Sequence, residues 1–263
     1  MANDPRGGKN TFRTKNMKAP EAAPKKQSSK WKSKLKYWAI KITLYFFGIS
    51  IGLVILYKFV SVPVTSTMIA RKMEAMADGR ESEIHYDWVS YANISKEAPL
   101  AVVAAEDQLF PDHNGFDFEA MGNALSKNLK GKKLRGASTL SQQVAKNVFL
   151  WQSRSYIRKI FEVYFTVLIE LIWGKERILE VYLNVAEMGS MTFGVEEASN
   201  RYFNTSAKNL TRQQAARIAS VLPSPIKWSA AKPGPYVNRR TANSTRQMRA
   251  LGGVAYINDL RSF

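Results

Sequence analysis

The feature that most constrains this chain is an uncharged apolar run of sixteen residues, ITLYFFGISIGLVILY, over residues 42–57. Extended to residues 38–60, the run has 23 residues and only two charges, Lys41 and Lys58, both near its ends. A helix of that length spans about 34 Å, which exceeds the roughly 30 Å hydrocarbon core of a bilayer. Lysines near the ends can extend to the headgroups. We therefore predict a transmembrane helix over residues 38–60. The alternatives are a buried core helix and a cleaved signal peptide, but no good cleavage site follows the run.

The segment before this run is strongly basic. Residues 1–37 hold eleven Lys or Arg against two acidic residues, a net charge of +9, and they show no apolar period. Such a composition predicts a disordered basic tail. Because basic flanks stay on the cytoplasmic side of a membrane, the tail is predicted to be cytoplasmic and the rest of the chain to lie on the far side of the membrane.

The remaining residues carry the other half of the total charge of +18. This excess indicates a polyanionic partner, for which nucleic acid, an anionic membrane and a phosphate-bearing substrate are the candidates. The chain has no cysteine, which excludes disulfide scaffolds and Cys-ligated zinc sites. The hydrophobic fraction of 45% is enough to form a core.

Residues 61–84 are predicted to be a connecting segment with a turn at Asp78-Gly79. From Lys96 onward, apolar residues recur at spacings of three and four, and Gly or Pro interrupts them at intervals. This pattern predicts a mainly α domain over residues 85–263, with a loop-like stretch after Pro233.

A first candidate site is Glu106. It lies near the end of a helix predicted between Pro99 and Pro111, in an alanine-rich, otherwise apolar stretch. Burial raises the pKa of a carboxyl group toward neutrality, which is the property a general base or acid needs. The alternative is a solvated Glu106–Asp107 pair at a helix end.

A second candidate site is the glycine-led segment over residues 136–150. Thr139 and Gln142 fit a capping box, and Thr139, Gln143 and Lys146 fall on one polar face of the helix that follows. The predicted buried stripe of that helix consists of Leu140, Val144 and Val148. A hydroxyl, an amide and an ammonium near a helix N-terminus suit a phosphate or a sugar. An ordinary amphipathic helix is the alternative.

A third candidate site begins at Arg154. Arg154, Arg158 and Glu162 are spaced four residues apart and share one helix face. The predicted core face of this helix consists of Ile157, Phe161, Leu168 and Ile172. The charged face is either a surface ion pair or a carboxylate held beside guanidinium groups that bind pyrophosphate.

In this order and spacing, the three segments resemble glycosyltransferase family 51, the peptidoglycan glycosyltransferases. The family pattern E-D-x-x-F-x-x-H-x-G is present from Glu106 through Asp107, Phe110 and His113 to Gly115. The pattern G-[GA]-S-T-[IL]-[ST]-Q-Q-[LV]-x-K-N occupies residues 136–147, and R-K-x-x-E occupies residues 158–162.

Two further segments, residues 175–189 and residues 202–225, are similar to the remaining motifs of the family, so the resemblance covers roughly residues 85–230. The departures are minor. Ala137 replaces a usual glycine, and Gln214 stands where glutamate is common.

The resemblance implies a mainly α fold, with a lysozyme-like helical catalytic lobe and a small membrane-proximal lobe. It implies an enzyme of cell-wall biogenesis that polymerises lipid II into glycan strands by inverting transfer and releases undecaprenyl pyrophosphate. In that mechanism Glu106 takes the proton from the 4-hydroxyl group of the incoming sugar.

Carried over residue by residue, the resemblance gives the catalytic roles to Glu106 and Glu162. Lys146 and Arg154 would hold phosphate on the acceptor side, and Arg158 with Glu162 would organise the donor pyrophosphate. Thr139 and Gln143 would contact substrate. The supporting residues are Asp107, Phe110, His113, Ser138, Asn147 and Lys159, with His113 predicted to be structural. No cofactor is required by the sequence, but a divalent metal, Mg²⁺ or Mn²⁺, is compatible with the pyrophosphate site.

The expected partners are lipid II, the growing lipid-linked strand and the membrane, with cell-division or wall-synthesis proteins compatible and nucleic acid not expected. No transpeptidase activity is expected, because an S-x-x-K match over residues 224–227 lacks the other motifs of that domain. Two rival hypotheses remain. One is a lytic enzyme of the lysozyme type, and the other is a membrane-tethered basic adaptor.

Overall fold

A computed structural model describes residues 28–129, 138–153, 155–258 and 260 of the chain. Within these residues it has ten α-helices, which confirms the predicted mainly α class. The α-helices are α1 (Ser28–Phe59), α2 (Ser66–Ala77), α3 (Glu97–Glu106), α4 (Phe118–Leu129), α5 (Leu140–Phe149), α6 (Tyr156–Ile172), α7 (Gly174–Val185), α8 (Val195–Phe203), α9 (Arg212–Val221) and α10 (Pro235–Ala250). Short 3-10 helices occur at Tyr91–Asn93, Ala207–Asn209 and Gly253–Ile257.

Helix α1 contains the apolar run, and its segment Trp31–Phe59 is long and apolar enough to cross a membrane, with a mean hydropathy of 2.1. The helix begins at Ser28, so residues 28–37, predicted as part of the disordered tail, are helical. Lysines such as Lys32 and Lys34 are good helix formers, so an adjoining apolar helix extends readily through them. The rest of the predicted tail lies outside the described residues.

Contacts group the chain into two units, residues up to Phe47 and residues from Gly48 onward. Within the second unit, the end of α1 is fastened to α6 and α7. The Trp173 indole donates to the carbonyl of Val54 at 2.7 Å, and the Arg177 guanidinium donates to the carbonyls of Tyr57 and Val60 at 2.7 and 2.6 Å. A cation on the free carbonyls of a helix C-terminus is a favourable cap.

The predicted connecting segment, residues 61–84, contains a helix of its own. Thr65 caps α2 by accepting from the backbone N–H of Met68 at 3.2 Å. The Ser66 hydroxyl donates to the carbonyl of Asn147 at 3.2 Å and also to that of Leu150. These bonds attach α2 to the end of α5.

Helix α3 lies at the centre of the second unit and packs on α9 and α10, while α5 packs on α6 and α7. Helix α10 corrects the loop-like prediction after Pro233. It begins with Pro235, a residue suited to the first helical position, and its buried positions are Val237, Thr241, Ser244 and Met248. Because two of these four carry hydroxyls, the buried face has a weak hydrophobic period.

The predicted core face of α6 is wrong at Ile157, which is 64% exposed, whereas Phe161, Leu168 and Ile172 are partly buried and pack against the core. The buried positions also include two carboxylates, Glu162 and Glu170. The helix is apolar nearly all round, so periodicity alone does not identify the inward face. The face that carries Glu162 and Glu170 is the inward one, because basic side chains pair with both glutamates. The opposite face is an exposed apolar stripe consisting of Tyr156, Ile157, Ile160, Val163, Val167 and Leu171.

A small sheet completes the fold, with strands β1 (His85–Tyr86), β2 (Glu187–Gly189) and β3 (Thr192–Phe193) in the order β1-β3-β2. Strand β3 is parallel to β1 and antiparallel to β2. The helical pattern did not predict these strands, because two or three residues are too few to show alternation.

Candidate active site

Glu106 ends α3 and faces a cavity of about 470 Å³ between α3, α5 and α10. Its side chain is 17% exposed. One carboxylate oxygen accepts from the Arg240 guanidinium at 3.1 Å, and the other from the Gln143 amide at a long 3.4 Å. The carboxylate is therefore partly shielded from water and has only modest compensation for its charge.

Burial raises the pKa of the Glu106 carboxyl above its usual range, and nearby Asp107 acts in the same direction. The Arg240 charge and the Gln143 hydrogen bond oppose that rise. The balance favours a carboxylate that accepts a proton more readily than a solvated glutamate.

The amide of Gln143 is fixed in orientation by Tyr182. The Tyr182 phenol donates to the amide oxygen of Gln143 at 3.2 Å, so the amide N–H groups face Glu106. Tyr182 is buried, and burial raises its phenol pKa well above the ordinary value, which keeps the proton on the phenol.

Asp107 and His113 support the end of α3. The His113 Nε2 lies 3.0 Å from Asp107, and its Nδ1 accepts from the backbone N–H of Gly115 at 3.1 Å, so Nε2 carries the proton that Asp107 accepts. Asp107 also accepts from the backbone N–H of Leu140 at 2.9 Å, at the start of α5. This arrangement supports the predicted structural role of His113.

Position 115 has no room for a side chain larger than that of glycine. Its φ is +86°, and a Cβ there would lie 2.8 Å from Thr166 and 2.9 Å from Glu170. The Thr139 hydroxyl donates to the Gly115 carbonyl at 2.7 Å. The Asp107–Gly115 loop and α5 are thereby held together.

Thr139 and Gln142 form the predicted capping box at the start of α5. The hydroxyl of Thr139 accepts from the Gln142 N–H at 3.2 Å while donating to Gly115, and Thr139 is buried. The geometry gives Thr139 a structural role, and its contact with substrate stays a prediction. Ser138, in contrast, is exposed and lines the cavity with Glu106.

One turn after Gln143 on the same face of α5, Lys146 enters a separate charged cluster. Burial lowers the pKa of the Lys146 ammonium, while the charge of Glu162 opposes this shift and the charge of Arg158 adds to it. Arg158 pairs with Glu162 at 2.5 Å, and Lys159 pairs with the other Glu162 oxygen. The Glu162 side chain is 4% exposed.

The structure brings Lys146, Arg158, Lys159 and Glu162 into one cluster, although the resemblance divides Lys146 from Arg158 and Glu162 between an acceptor-side phosphate and a donor pyrophosphate. Arg154 lies outside the described residues. Asn147 accepts from the Thr67 hydroxyl at 3.3 Å and from Ser66, so it connects α5 to α2.

A buried ion pair connects α6 and α7 to the loop that carries His113. The Lys175 ammonium donates to Glu170 at 2.8 Å and to the carbonyl of His113 at 2.5 Å, and it lies 4.5 Å from the ring centre of Phe110. Glu170 also accepts from the Ser141 hydroxyl. Phe110 is thus a buried support of the loop that carries the first motif.

Two residues of the site, Arg240 and Tyr182, were missed by sequence reasoning. Arg240 is 134 positions from Glu106 in the chain and lies on a helix with a weak apolar period. Tyr182 looks like an ordinary core residue. Only the Pro235 at the start of α10 signals the helix that carries Arg240.

No cluster of three His, Asp or Glu side chains that could hold a metal ion occurs within the described part of the chain. Glu162 is the carboxylate nearest to the predicted pyrophosphate cations. Mg²⁺ in proteins commonly takes one or two carboxylates and fills its shell with phosphate oxygens and water, so Glu162 could share such an ion with a bound pyrophosphate.

The arrangement suits a proton transfer at one place and anion binding at another. Glu106 can accept a proton inside the cavity, and the cluster around Lys146 can hold a polyanion one helical turn away. Two such groups are what transfer from a pyrophosphate leaving group requires.

Comparison with known proteins agrees with this chemistry. Residues 72–249 match the transglycosylase family. A biosynthetic peptidoglycan transglycosylase of Pseudomonas putida strain F1 is 50% identical over 219 residues, which cover 83% of this chain and 93% of the relative. The protein of the same description from Pseudomonas aeruginosa is 49% identical over 217 residues, covering 82% and 94%. That from Xanthomonas axonopodis pv. citri is 45% identical over 238 residues, covering 90% and 95%.

Proposed function

The chain belongs to the transglycosylase family of peptidoglycan glycosyltransferases, and from this premise we propose that it polymerises lipid II into glycan strands. The 4-hydroxyl oxygen of incoming lipid II bonds to the anomeric carbon of the lipid-linked strand. The bond from that carbon to the pyrophosphate breaks with inversion, and undecaprenyl pyrophosphate leaves with the electron pair. Glu106 takes the hydroxyl proton.

The observation that carries the proposal is the environment of Glu106. A carboxylate whose pKa is raised by burial lines a cavity of about 470 Å³, where a sugar hydroxyl can reach it. The Gln143 amide and the Arg240 guanidinium fix the two oxygens, so the carboxylate is oriented before substrate binds.

The chemistry of the leaving group accounts for the charged cluster around Lys146 and Glu162. Pyrophosphate is stable as an anion, so the reaction needs cations beside it more than a strong general acid. Arg158 supplies them together with Lys146, which the resemblance assigned to the acceptor side but which lies in the same charged cluster. Glu162 holds Arg158 and Lys159 in position through its two ion pairs. A divalent ion shared between Glu162 and the pyrophosphate remains part of the proposal.

The membrane location follows from the substrates, which both carry lipid chains. Helix α1 can span a bilayer, and the exposed apolar stripe of α6 is the kind of surface that meets a membrane. The charge of the basic tail supports an orientation with the N-terminus in the cytoplasm and the active site on the outer face of the inner membrane.

The proposal includes no transpeptidase step. The S-x-x-K match lies in a turn after α9, where the carbonyl of Ser224 accepts from the N–H of Lys227 at 3.1 Å. We expect no labelling of the chain by a fluorescent penicillin. Covalent labelling at Ser224 would contradict this part of the proposal.

The test is to incubate the purified full chain with lipid II and, separately, with preformed glycan. We expect chain growth from lipid II and no shortening of glycan. Shortened glycan without growth would support the rival lytic hypothesis, and neither activity would favour the adaptor.

The matched variant is Glu106→Gln. Loss of the base should reduce polymerisation at least about a thousandfold, near the upper range for general base catalysis. Because burial raises the folded pKa of Glu106, its ionised form costs stability once the pH rises through that pKa, so a neutral amide should not unfold the protein at neutral pH. Glu83→Gln, at an exposed carboxylate, is the control and should keep full activity. Turnover by Glu106→Gln within tenfold of wild type would remove Glu106 from the mechanism.

A further inference from the structure

A second cavity of about 540 Å³ lies between α9 and α10. Four arginines line it, two from each helix. They are Arg212 and Arg217 on α9 and Arg246 and Arg249 on α10. The catalytic cavity and this groove share no lining residue, because they face different sides of α10.

The charge in this groove is poorly compensated. Glu97 pairs with Arg212 through both oxygens, at 2.8 and 2.9 Å. Among the described residues, no carboxylate pairs with Arg217, Arg246 or Arg249. Three of the four arginines therefore have no ion-pair partner among the described residues, and Arg246 donates only to the neutral side chain of Asn243. Binding of an anion would stabilise such an arrangement.

Arg217 provides a second, independent sign of a missing ligand. Its Nε is buried and has no hydrogen-bond partner, while its guanidinium lies 5.7 Å from the ring centre of Phe203. Buried polar atoms in folded proteins nearly always have a partner, and guanidinium groups bind carboxylates and phosphates through paired N–H donors.

The shape of the groove favours an extended chain over a single ion. Along α10 it runs from Asn238 to Arg249, about 16 Å at 1.5 Å per residue. That length equals about five residues of extended peptide. Neutral polar residues also line the groove, namely Gln213, Asn238, Thr241 and Thr245. The hydroxyls of Thr241 and Thr245 already donate to carbonyls of α10, so the exposed amides of Gln213 and Asn238 are the side chains that can bond to a peptide backbone.

Helix α10 packs on α9, and both helices pack on α3, which ends at Glu106. We propose that the groove between α9 and α10 binds an extended acidic peptide segment of a partner protein. This goes beyond the proposed function, because the occupant is neither substrate nor product.

The proposed site is connected to catalysis through α10 itself. The same helix presents Arg240 to Glu106 on one face and Arg246 to the groove on another. A partner bound in the groove would hold α10 in place and with it the ion pair that orients the base.

The test measures binding of a fluorescein-labelled hexaglutamate peptide to the full chain in detergent by fluorescence anisotropy, at about 0.15 M salt. We expect saturable binding that weakens at least tenfold in the double variant Arg246→Glu/Arg249→Glu. The matched control is Lys232→Glu/Arg239→Glu, which changes the net charge equally at exposed positions outside the groove. The control should change binding less than threefold.

A second variant tests shape without changing charge. Ala242 is exposed and lines the groove, so Ala242→Trp should fill it and weaken peptide binding at least fivefold. Equal binding by wild type and both groove variants would overturn the proposal, because the basic tail or another surface would then be the site.

Two further outcomes would assign the groove to a different anion. Displacement of the peptide by inorganic phosphate at low millimolar concentration would show a simple anion site and contradict the peptide assignment. Binding to phosphatidylglycerol vesicles that is lost in the groove variant but kept in the control would assign the groove to the membrane and also contradict it. Glu106→Gln should bind the peptide like wild type, so failure of the catalytic proposal leaves this one separately testable.

Discussion

Two neighbouring positions on one face of α5 meet the same type of side chain in opposite electrostatic settings. At the first, Gln143 contacts Glu106, whose charge is balanced only by Arg240 and a long amide hydrogen bond. At the second, Lys146 lies beside Glu162, which is paired with two cations. The difference suits Glu106 to accepting a proton and Glu162 to holding cations, because much more positive charge surrounds Glu162.

The spacing of α5 makes this division of tasks compact. Gln143 and Lys146 are three residues apart, so their side chains share one helix face about one turn apart. In the proposed function, a proton is removed beside Gln143 and a pyrophosphate is held beside Lys146. The comparison predicts that changes at these two positions have different kinetic signatures.

The largest effect after Glu106→Gln is expected for Lys146→Ala. Loss of a buried ammonium beside the pyrophosphate should lower kcat/KM about a hundredfold, since a charged contact with a developing anion contributes about 3 kcal/mol. We expect a higher lipid II requirement and a slower turnover, measured by polymerisation at varied lipid II. Lys72→Ala, at an exposed lysine, is the control. Unchanged kinetics in Lys146→Ala would contradict the role of Lys146 in pyrophosphate binding.

A smaller effect, with a distinct pH signature, is expected for Arg240→Met. The Arg240 charge lowers the Glu106 pKa against the effect of burial, so its removal should raise that pKa further. Because the base must be ionised, the acid limb of the kcat/KM profile should move to higher pH, and the loss of activity should be larger on that limb than at alkaline pH. Arg239→Met, its exposed neighbour, should leave the profile in place. An acid limb that moves to lower pH would contradict the role given to Arg240.

The smallest effect on catalysis is expected for Thr139→Val. This change removes the cap of α5 and the hydrogen bond to Gly115, which should cost about 1–2 kcal/mol of unfolding free energy. Denaturant unfolding should detect the loss, while KM for lipid II should stay within about threefold. A large rise in KM with unchanged stability would instead show that Thr139 contacts substrate.

Local signals explain what could be predicted from the sequence. The capping box of Thr139 and Gln142 and the buried stripe of α5 depend on residues three or four apart, and both are confirmed. The position of Glu106 at the end of a buried helix follows from the alanine-rich run before it. These features need no information about distant parts of the chain.

What was missed depends on contacts between distant segments. Arg240 reaches Glu106 from a helix whose buried face is partly hydroxyl-bearing, so neither its helix nor its partner is visible in the local pattern. The inward face of α6 was predicted incompletely for a related reason. Only cations from this and the next helix make the burial of Glu162 and Glu170 favourable, and the local pattern left Glu162 open between a surface ion pair and a pyrophosphate site.

Glu106 is a poorly hydrated carboxylate, and the pH at which it ionises is the most direct test of that property. The measurement is an infrared pH titration of the carboxyl band in wild type, with the spectrum of Glu106→Gln subtracted. We predict one carboxyl group that stays protonated above the ordinary glutamate pKa of about 4.3 and is absent from the variant. A difference spectrum that titrates at or below the ordinary value would contradict the account.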